Sequence, residues 1–221
     1  MRHWLAILGC VLALTAVSAT ASTVRFDGFS NGYYQVDVDP PSIVGATVDA
    51  GRYTGVLDGQ SFYSFCVDLF HTLSFGTTYN DYARADATPY LQTQGFSAAD
   101  ASARSLALAQ LATAHLGQLV DTLTTAAFQL AIWEIRYEPG TSFSLSGGGF
   151  TASGGANAAS AVDLANSWLS ALGGPANVSA EFMLNSDTHQ DVVVFTPLPG
   201  ALIFLASGLL GLLGMSRRAR A

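Results

Sequence analysis

Residues 126–133 read Ala-Ala-Phe-Gln-Leu-Ala-Ile-Trp, and every side chain in this stretch except that of Gln129 is apolar. The stretch is the centre of a helical pattern that runs from about Asp121 to Arg136 and stops before Pro139-Gly140. A helix that is apolar nearly all the way round is buried on most sides. The sequence therefore predicts a central, enclosed helix that carries one amide side chain.

Two further helices are indicated on either side of this segment. Ser97 is followed three positions later by Asp100, which is the pattern of a helix N-cap, and the helix it opens extends to about Leu116. Another helix is predicted from about Ala158 to Leu172. One face of the helix after Ser97 is expected to hold Leu108, Leu111, Ala112, His115 and Leu119.

The segments before and after these helices favour strands. Val, Tyr and Phe residues between Thr23 and Val56 are interrupted by Gly and Pro, and residues 178–195 supply one or two closing strands. Residues 144–156 are rich in Gly and Ser and predict a flexible loop. Strands at both ends around a helical segment at about 97–136 predict a single α+β domain, with an antiparallel sheet or a barrel-like arrangement of strands.

Both ends of the chain predict export. Arg2 precedes an uncharged run of about 13 residues, which is shorter than the ~20 needed to span a bilayer. The small residues before Ser22 suit a signal peptidase, so we expect cleavage between Ala21 and Ser22. At the other end an uncharged segment follows Pro197-Leu198-Pro199 and ends at Arg217 and Arg218, which would also suit a transmembrane anchor with its basic end in the cytoplasm.

This C-terminal arrangement resembles a PEP-CTERM sorting signal, with Pro197-Leu198-Pro199 where that family usually has Pro-Glu-Pro. The resemblance implies processing by an exosortase-like enzyme after transient anchoring in the inner membrane. It also implies a final location at the cell surface or in the extracellular matrix of a bacterium with an outer membrane.

The predicted domain, residues 22–196, is strongly acidic and has a single thiol. It holds all 16 acidic residues but only five arginines, a formal charge of −11, so nucleic acid is excluded as a partner. The whole chain has no lysine. Since only Cys66 remains after cleavage, no internal disulfide can form.

Cys66 lies in a predicted strand, residues 61–70. Alternation places Phe65, Val67 and Leu69 on one face and Ser64, Cys66 and Asp68 on the other, so Cys66 is expected on the more polar side. The presence of Cys66 and of Gln129 in these segments each has an ordinary explanation. A lone thiol is often a small buried side chain, and a buried amide often hydrogen-bonds to nearby backbone groups. One hypothesis covers both, namely an internal thioester made when the Cys66 sulfur displaces ammonia from Gln129.

The stretches Phe65-Cys66-Val67-Asp68 and Phe128-Gln129-Leu130-Ala131-Ile132-Trp133 resemble the two motifs of the thioester domains of bacterial surface adhesins. Over about residues 60–138, the resemblance implies a Cys66–Gln129 cross-link that reacts with a surface amine for covalent adhesion, without turnover or cofactor. Such a bond needs apolar shielding from water, which Phe65, Phe128 and Trp133 are placed to supply. A chain without lysine removes an internal competitor for it.

Three alternatives remain open from the sequence. Cys66 could be a catalytic nucleophile paired with His71 or His115, with Gln129 as an oxyanion donor. A metal site built from the thiol and the histidines is less favoured because these residues are scattered along the chain. Asp37 and Asp39 could bind calcium weakly, but the glycine and the distal glutamate of an EF-hand loop are missing. The third alternative is an acidic matrix or exopolysaccharide-associated structural protein that contains no thioester.

Overall fold

A computed structural model describes residues 21–41, 45–178 and 180–196. These residues form seven strands and four α-helices, with a short 3₁₀ turn at Leu116–Gln118. The strands are β1 (Ser22–Asp39), β2 (Ala46–Leu57), β3 (Gln60–Cys66), β4 (Thr78–Asp86), β5 (Thr151–Ser153), β6 (Ala180–Asn185) and β7 (Val192–Thr196). The helices are α1 (Ala87–Thr93), α2 (Ala98–His115), α3 (Thr122–Tyr137) and α4 (Ala156–Ser170).

Six of the strands close into an antiparallel barrel. The order β2-β3-β7-β6-β4-β1 is completed by pairing of β1 with β2, and β5 adds to the far end of β1. The predicted α+β domain with barrel-like strands is therefore confirmed. Strand β1 pairs with both β2 and β4. It can do so because it is 18 residues long and bends at two register shifts in its pairing with β2.

Aromatic side chains fill the barrel. Phe26 is fully buried, and its ring lies within 5.8 to 6.3 Å of rings from β2, β3 and β4, those of Tyr53, Phe62, Tyr79 and Tyr82. Gly55 lies opposite Phe26 in β2, and a Cβ there would come within 2.0 Å of the Arg25 carbonyl oxygen. Glycine at position 55 thus permits the close approach of β1 and β2.

Helix α3 lies between the barrel and the other helices. It packs on β1, β2 and β3 on one side and on α2 and α4 on the other, and every residue from Thr125 to Ile135 is buried. Its N-terminus is fixed by a capping box, in which the Asp121 carboxylate accepts from the Thr124 N–H at 2.8 Å. The predicted enclosed helix is confirmed, including its boundaries to within one residue.

The Ser97 cap of α2 is present, since the Ser97 side chain accepts from the Asp100 N–H at 3.1 Å. The predicted apolar face of α2 is only partly correct. Leu108, Leu111 and Ala112 are buried, but the helix ends at His115, and Leu119 is buried beyond the 3₁₀ turn. Helix α1 was not predicted; its Pro89 lies in the first turn, where a missing N–H costs little.

The prediction of a flexible loop at residues 144–156 is wrong in part. The segment includes β5, which pairs with Asp37–Asp39 of β1, and its residues Leu145 and Phe150 are buried. The Glu138 carboxylate accepts from the backbone N–H groups of Gly149 and Phe150 at 2.8 and 3.1 Å. The Gly- and Ser-rich composition predicted a flexible loop because it gave no sign that the Glu138 carboxylate would bind the loop backbone.

Arg104 ties α2 to the C-terminal end of α3, so we expect its replacement to destabilise the domain. Its guanidinium is buried and donates to the carbonyls of Ile135, Glu138 and Gly140, the last two at 2.6 and 2.8 Å. Arg104→Met leaves these carbonyls unpaired and should lower the free energy of unfolding by about 3 kcal/mol, measured by urea titration. The exposed Arg25→Met is the matched control and should leave the midpoint almost unchanged; equal midpoints for both variants would contradict the assigned role.

Candidate functional site

Cys66 and Gln129, 63 residues apart in sequence, meet where β3 ends against the middle of α3. The Cys66 N–H donates to Oε1 of Gln129 at 2.9 Å, and Nε2 of Gln129 donates to the Cys66 carbonyl at 2.8 Å. Both residues are completely buried. The structure thus brings together the two residues that the sequence predicts to react.

This pair of hydrogen bonds fixes the position of the amide relative to the residue that carries the thiol. The amide lies alongside the Cys66 backbone and bonds to both of its polar groups, so it cannot turn without losing both bonds. The same bonds satisfy a buried amide without any reaction. The arrangement therefore suits a reacting pair and also supplies the ordinary explanation of Gln129.

The environment of the Cys66 sulfur is apolar and disfavours the thiolate. Burial raises the pKa of this thiol to about 12, and the sulfur donates to the Asp68 carbonyl at 3.0 Å. The nearby Trp133 indole N–H opposes the rise in the pKa of Cys66, although it has no hydrogen-bond partner by geometry. At neutral pH the thiol stays protonated, whereas a catalytic cysteine usually has a lowered pKa.

The predicted polar face for Cys66 is wrong. Strand β3 ends at Cys66, so Val67 and Leu69 lie outside it, and both faces are covered at this end. Phe65 packs on Phe128 of α3 with ring centroids 4.8 Å apart, while Phe62 contacts Phe26 inside the barrel. Alternation of side chains along a strand identifies its two faces, but it does not show whether another element covers the more polar face.

The three predicted shielding residues are all buried near the pair. Phe65 and Phe128 also approach Phe195 of β7, with centroids at 6.3 and 5.5 Å. Trp133 lies one turn after Gln129 on α3 and is 1% exposed. Together these rings exclude water from the site.

A polar network that was not predicted holds the segment after Cys66. The Tyr137 hydroxyl accepts from the Leu69 N–H at 2.8 Å and donates to the Val67 carbonyl at 3.3 Å. Gln190 and Asp191, from the turn before β7, also bond to this segment through the Asp68 carbonyl and the Val67 N–H. The sequence did contain one signal for the role of Tyr137. Gln129, Trp133 and Tyr137 are spaced four residues apart and so lie along the same side of α3.

Neither predicted histidine pairs with Cys66 in the described part of the chain. His71 Nδ1 lies 2.6 Å from Oδ2 of Asp68, and His115 stacks on Trp168 at a centroid distance of 4.3 Å. The remaining histidine of the described residues, His189, is half-buried against Tyr79. The contacts of a cysteine–histidine nucleophile are thus not formed here.

The other predicted sites have ordinary contacts or lie outside the described residues. Asp37 accepts from the Thr47 hydroxyl and Asp39 from the Gly45 N–H. Residues 21–41, 45–178 and 180–196 contain no cluster of three or more metal-ligating side chains, and none of their helices is long and apolar enough to cross a membrane.

The predicted export and sorting segments meet the described domain at its two ends. Ser22, expected to follow the signal peptidase cut, is the first residue of β1, and its hydroxyl accepts from Arg84 at 3.0 Å. The last strand ends at Thr196. Most of the predicted signal peptide, residues 1–20, and the whole predicted sorting tail, residues 197–221, lie outside the described residues.

No family model, curated protein or solved structure matches this chain.

We expect the Gln129 amide to stabilise the fold even when no thioester can form. In a Cys66→Ala background, Gln129→Leu removes both partners of the residue 66 backbone and should lower the free energy of unfolding by about 2 to 3 kcal/mol, measured by urea titration. Gln92→Leu, at an exposed position of α1, is the control in the same background. A loss no greater than that of the control would mean that the hydrogen bonds do not fasten α3 to β3.

Proposed function

We propose that this chain is an exported surface protein whose Cys66 and Gln129 form an internal thioester that attaches it covalently to an amine. The observation that supports the proposal is the pair of hydrogen bonds between the Gln129 amide and the Cys66 backbone, at 2.9 and 2.8 Å. They bring the only thiol of the exported domain and the only amide of its central helix to one buried point.

The thioester would form by acyl transfer within the chain. The Cys66 sulfur attacks Cδ of Gln129, the Cδ–Nε2 bond breaks, and the thiol proton leaves with the nitrogen as ammonia. The Cys66 N–H, already bonded to Oε1 at 2.9 Å, would stabilise the negative charge that develops on that oxygen. The raised pKa of Cys66 makes the attack slow, which suits an event that happens once per molecule.

The surroundings would preserve the bond once it exists. Water is excluded by buried aromatic rings, and no lysine of the same chain can intercept the acyl group. A cross-link between residues 63 apart would also stabilise the fold by about 4 kcal/mol, by analogy with a disulfide.

The attacking amine would form an amide with Cδ of Gln129 and release Cys66 as a thiol. The formal charge of −11 on residues 22–196 favours approach of a cationic amine ligand. One reaction attaches one molecule, so the protein is proposed as an adhesin and not as an enzyme. The raised pKa of Cys66 and the absence of a histidine contact to it in the described residues argue against the nucleophile alternative.

Placement at the surface would follow from the two ends of the chain. Signal peptidase would cut after Ala21, and an exosortase-like enzyme would act on the tail that begins at Pro197-Leu198-Pro199, after the segment ending at Arg217 and Arg218 had held the protein in the inner membrane.

A second candidate is an acidic matrix or exopolysaccharide-associated structural protein without a thioester. One observation favours it: both polar atoms of the Gln129 side chain are already bonded to backbone. On this alternative Cys66 remains a free, buried thiol.

Amine capture separates the two candidates. The exported full chain, purified in amine-free buffer, is incubated with methylamine, digested and mapped by mass spectrometry, and we expect one methylamide at Gln129 and one newly alkylatable thiol at Cys66. Cys66→Ala and the near-isosteric Gln129→Glu are the controls and should take up none. Unmodified Gln129 in the wild type, with Cys66 alkylated after unfolding without any amine treatment, would favour the structural protein.

A further inference from the structure

Asp68 and His71 form an acid–base pair in the segment that follows Cys66. The Asp68 carboxylate is largely buried and lies 2.6 Å from Nδ1 of His71, while its other oxygen accepts from the Phe70 N–H at 2.8 Å. Two fixed bonds orient the carboxylate, and through it the imidazole. This contact occupies Nδ1 of His71 and leaves its Nε2 as the nitrogen that can accept a proton.

The same residue joins the pair to the sulfur. The backbone carbonyl of Asp68 accepts from the Cys66 thiol at 3.0 Å, and its side chain holds the imidazole. The His71 side chain is 46% exposed, whereas Cys66 is fully buried. The six residues from Cys66 to His71 therefore connect the buried sulfur to a proton acceptor that solvent and an incoming amine can reach.

We infer that His71, oriented by Asp68, is the general base that takes a proton from the amine as it attacks Cδ of Gln129; this inference rests on the thioester proposed above. The acceptor class it implies is a primary alkylamine. The charged groups around the imidazole are Asp68 on its own segment and Asp191 from the turn before β7. Both are acidic, so they favour a cationic ligand over an anionic one.

The chemical step balances without any further reagent. A neutral amine bonds to Cδ of Gln129, the Cδ–Sγ bond breaks, and the electron pair goes to the Cys66 sulfur. One amine proton passes to Nε2 of His71 and is then returned to the sulfur, so the products are an amide and a thiol. The returned proton matters because the buried sulfur is a poor leaving group as a thiolate.

The test compares the rate and the final extent of methylamine uptake in exported full-length protein. General base catalysis commonly contributes 10²- to 10⁴-fold, so His71→Gln should slow uptake by ~100-fold and still reach the wild-type extent. In His71→Ala, free imidazole in the buffer should restore part of the rate, which a merely structural residue would not allow. His189→Gln removes another half-buried histidine near a carboxylate and is the matched control, expected to react like the wild type.

The outcomes distinguish the role of His71 as a general base from the thioester on which that role rests. Equal rates for wild type, His71→Gln and His71→Ala, with full uptake in each, would overturn the role of His71 and leave the thioester standing. No uptake in the wild type would overturn both. Slower uptake in His71→Ala without imidazole rescue, or in His189→Gln to the same degree, would also contradict the assignment.

Discussion

The contact on which this account depends is the pair of hydrogen bonds between the Gln129 side chain and the backbone of Cys66. It joins α3, a helix that is enclosed on nearly all sides, to Cys66, the last residue of the barrel strand β3. Because the amide sits among apolar side chains, leaving either of its polar atoms unpaired would cost roughly 1 to 3 kcal/mol. That cost fixes the amide beside Cys66 and so determines how β3 and α3 meet.

Burial at this point has two chemical consequences that act in the same direction. It keeps the Cys66 thiol protonated, since the pKa is raised to about 12, and it shields any acyl–sulfur bond from water. These two properties support the proposal of a bond that is made once and kept until an amine arrives. In the proposed reaction, protons would reach this site through the polar segment that carries Asp68 and His71.

Much of this arrangement could be predicted from the sequence, and the failures have physical causes. The enclosed helix was evident because all but one of residues 126–133 are apolar, and the caps at Ser97 and Asp121 mark helix starts with specific residue types. The α+β class followed from the placement of strands. Closure of the barrel depends on β1 pairing with both β2 and β4, a long-range fact with no local signal.

At the site too, features that are local in the sequence could be predicted, whereas contacts made by the fold could not. Cys66 stood out as the single thiol of the predicted domain and Gln129 as the one polar side chain in its apolar stretch. The roles of Tyr137, Gln190 and Asp191 depend instead on backbone groups that only the fold brings near. The thioester is tested by the intact mass of the exported chain before any contact with amine, measured beside Cys66→Ala with identically processed ends. If Cys66 and Gln129 are joined, the wild type is lighter than its sequence by one ammonia and the variant is not. A wild-type mass equal to that of its sequence would contradict the thioester.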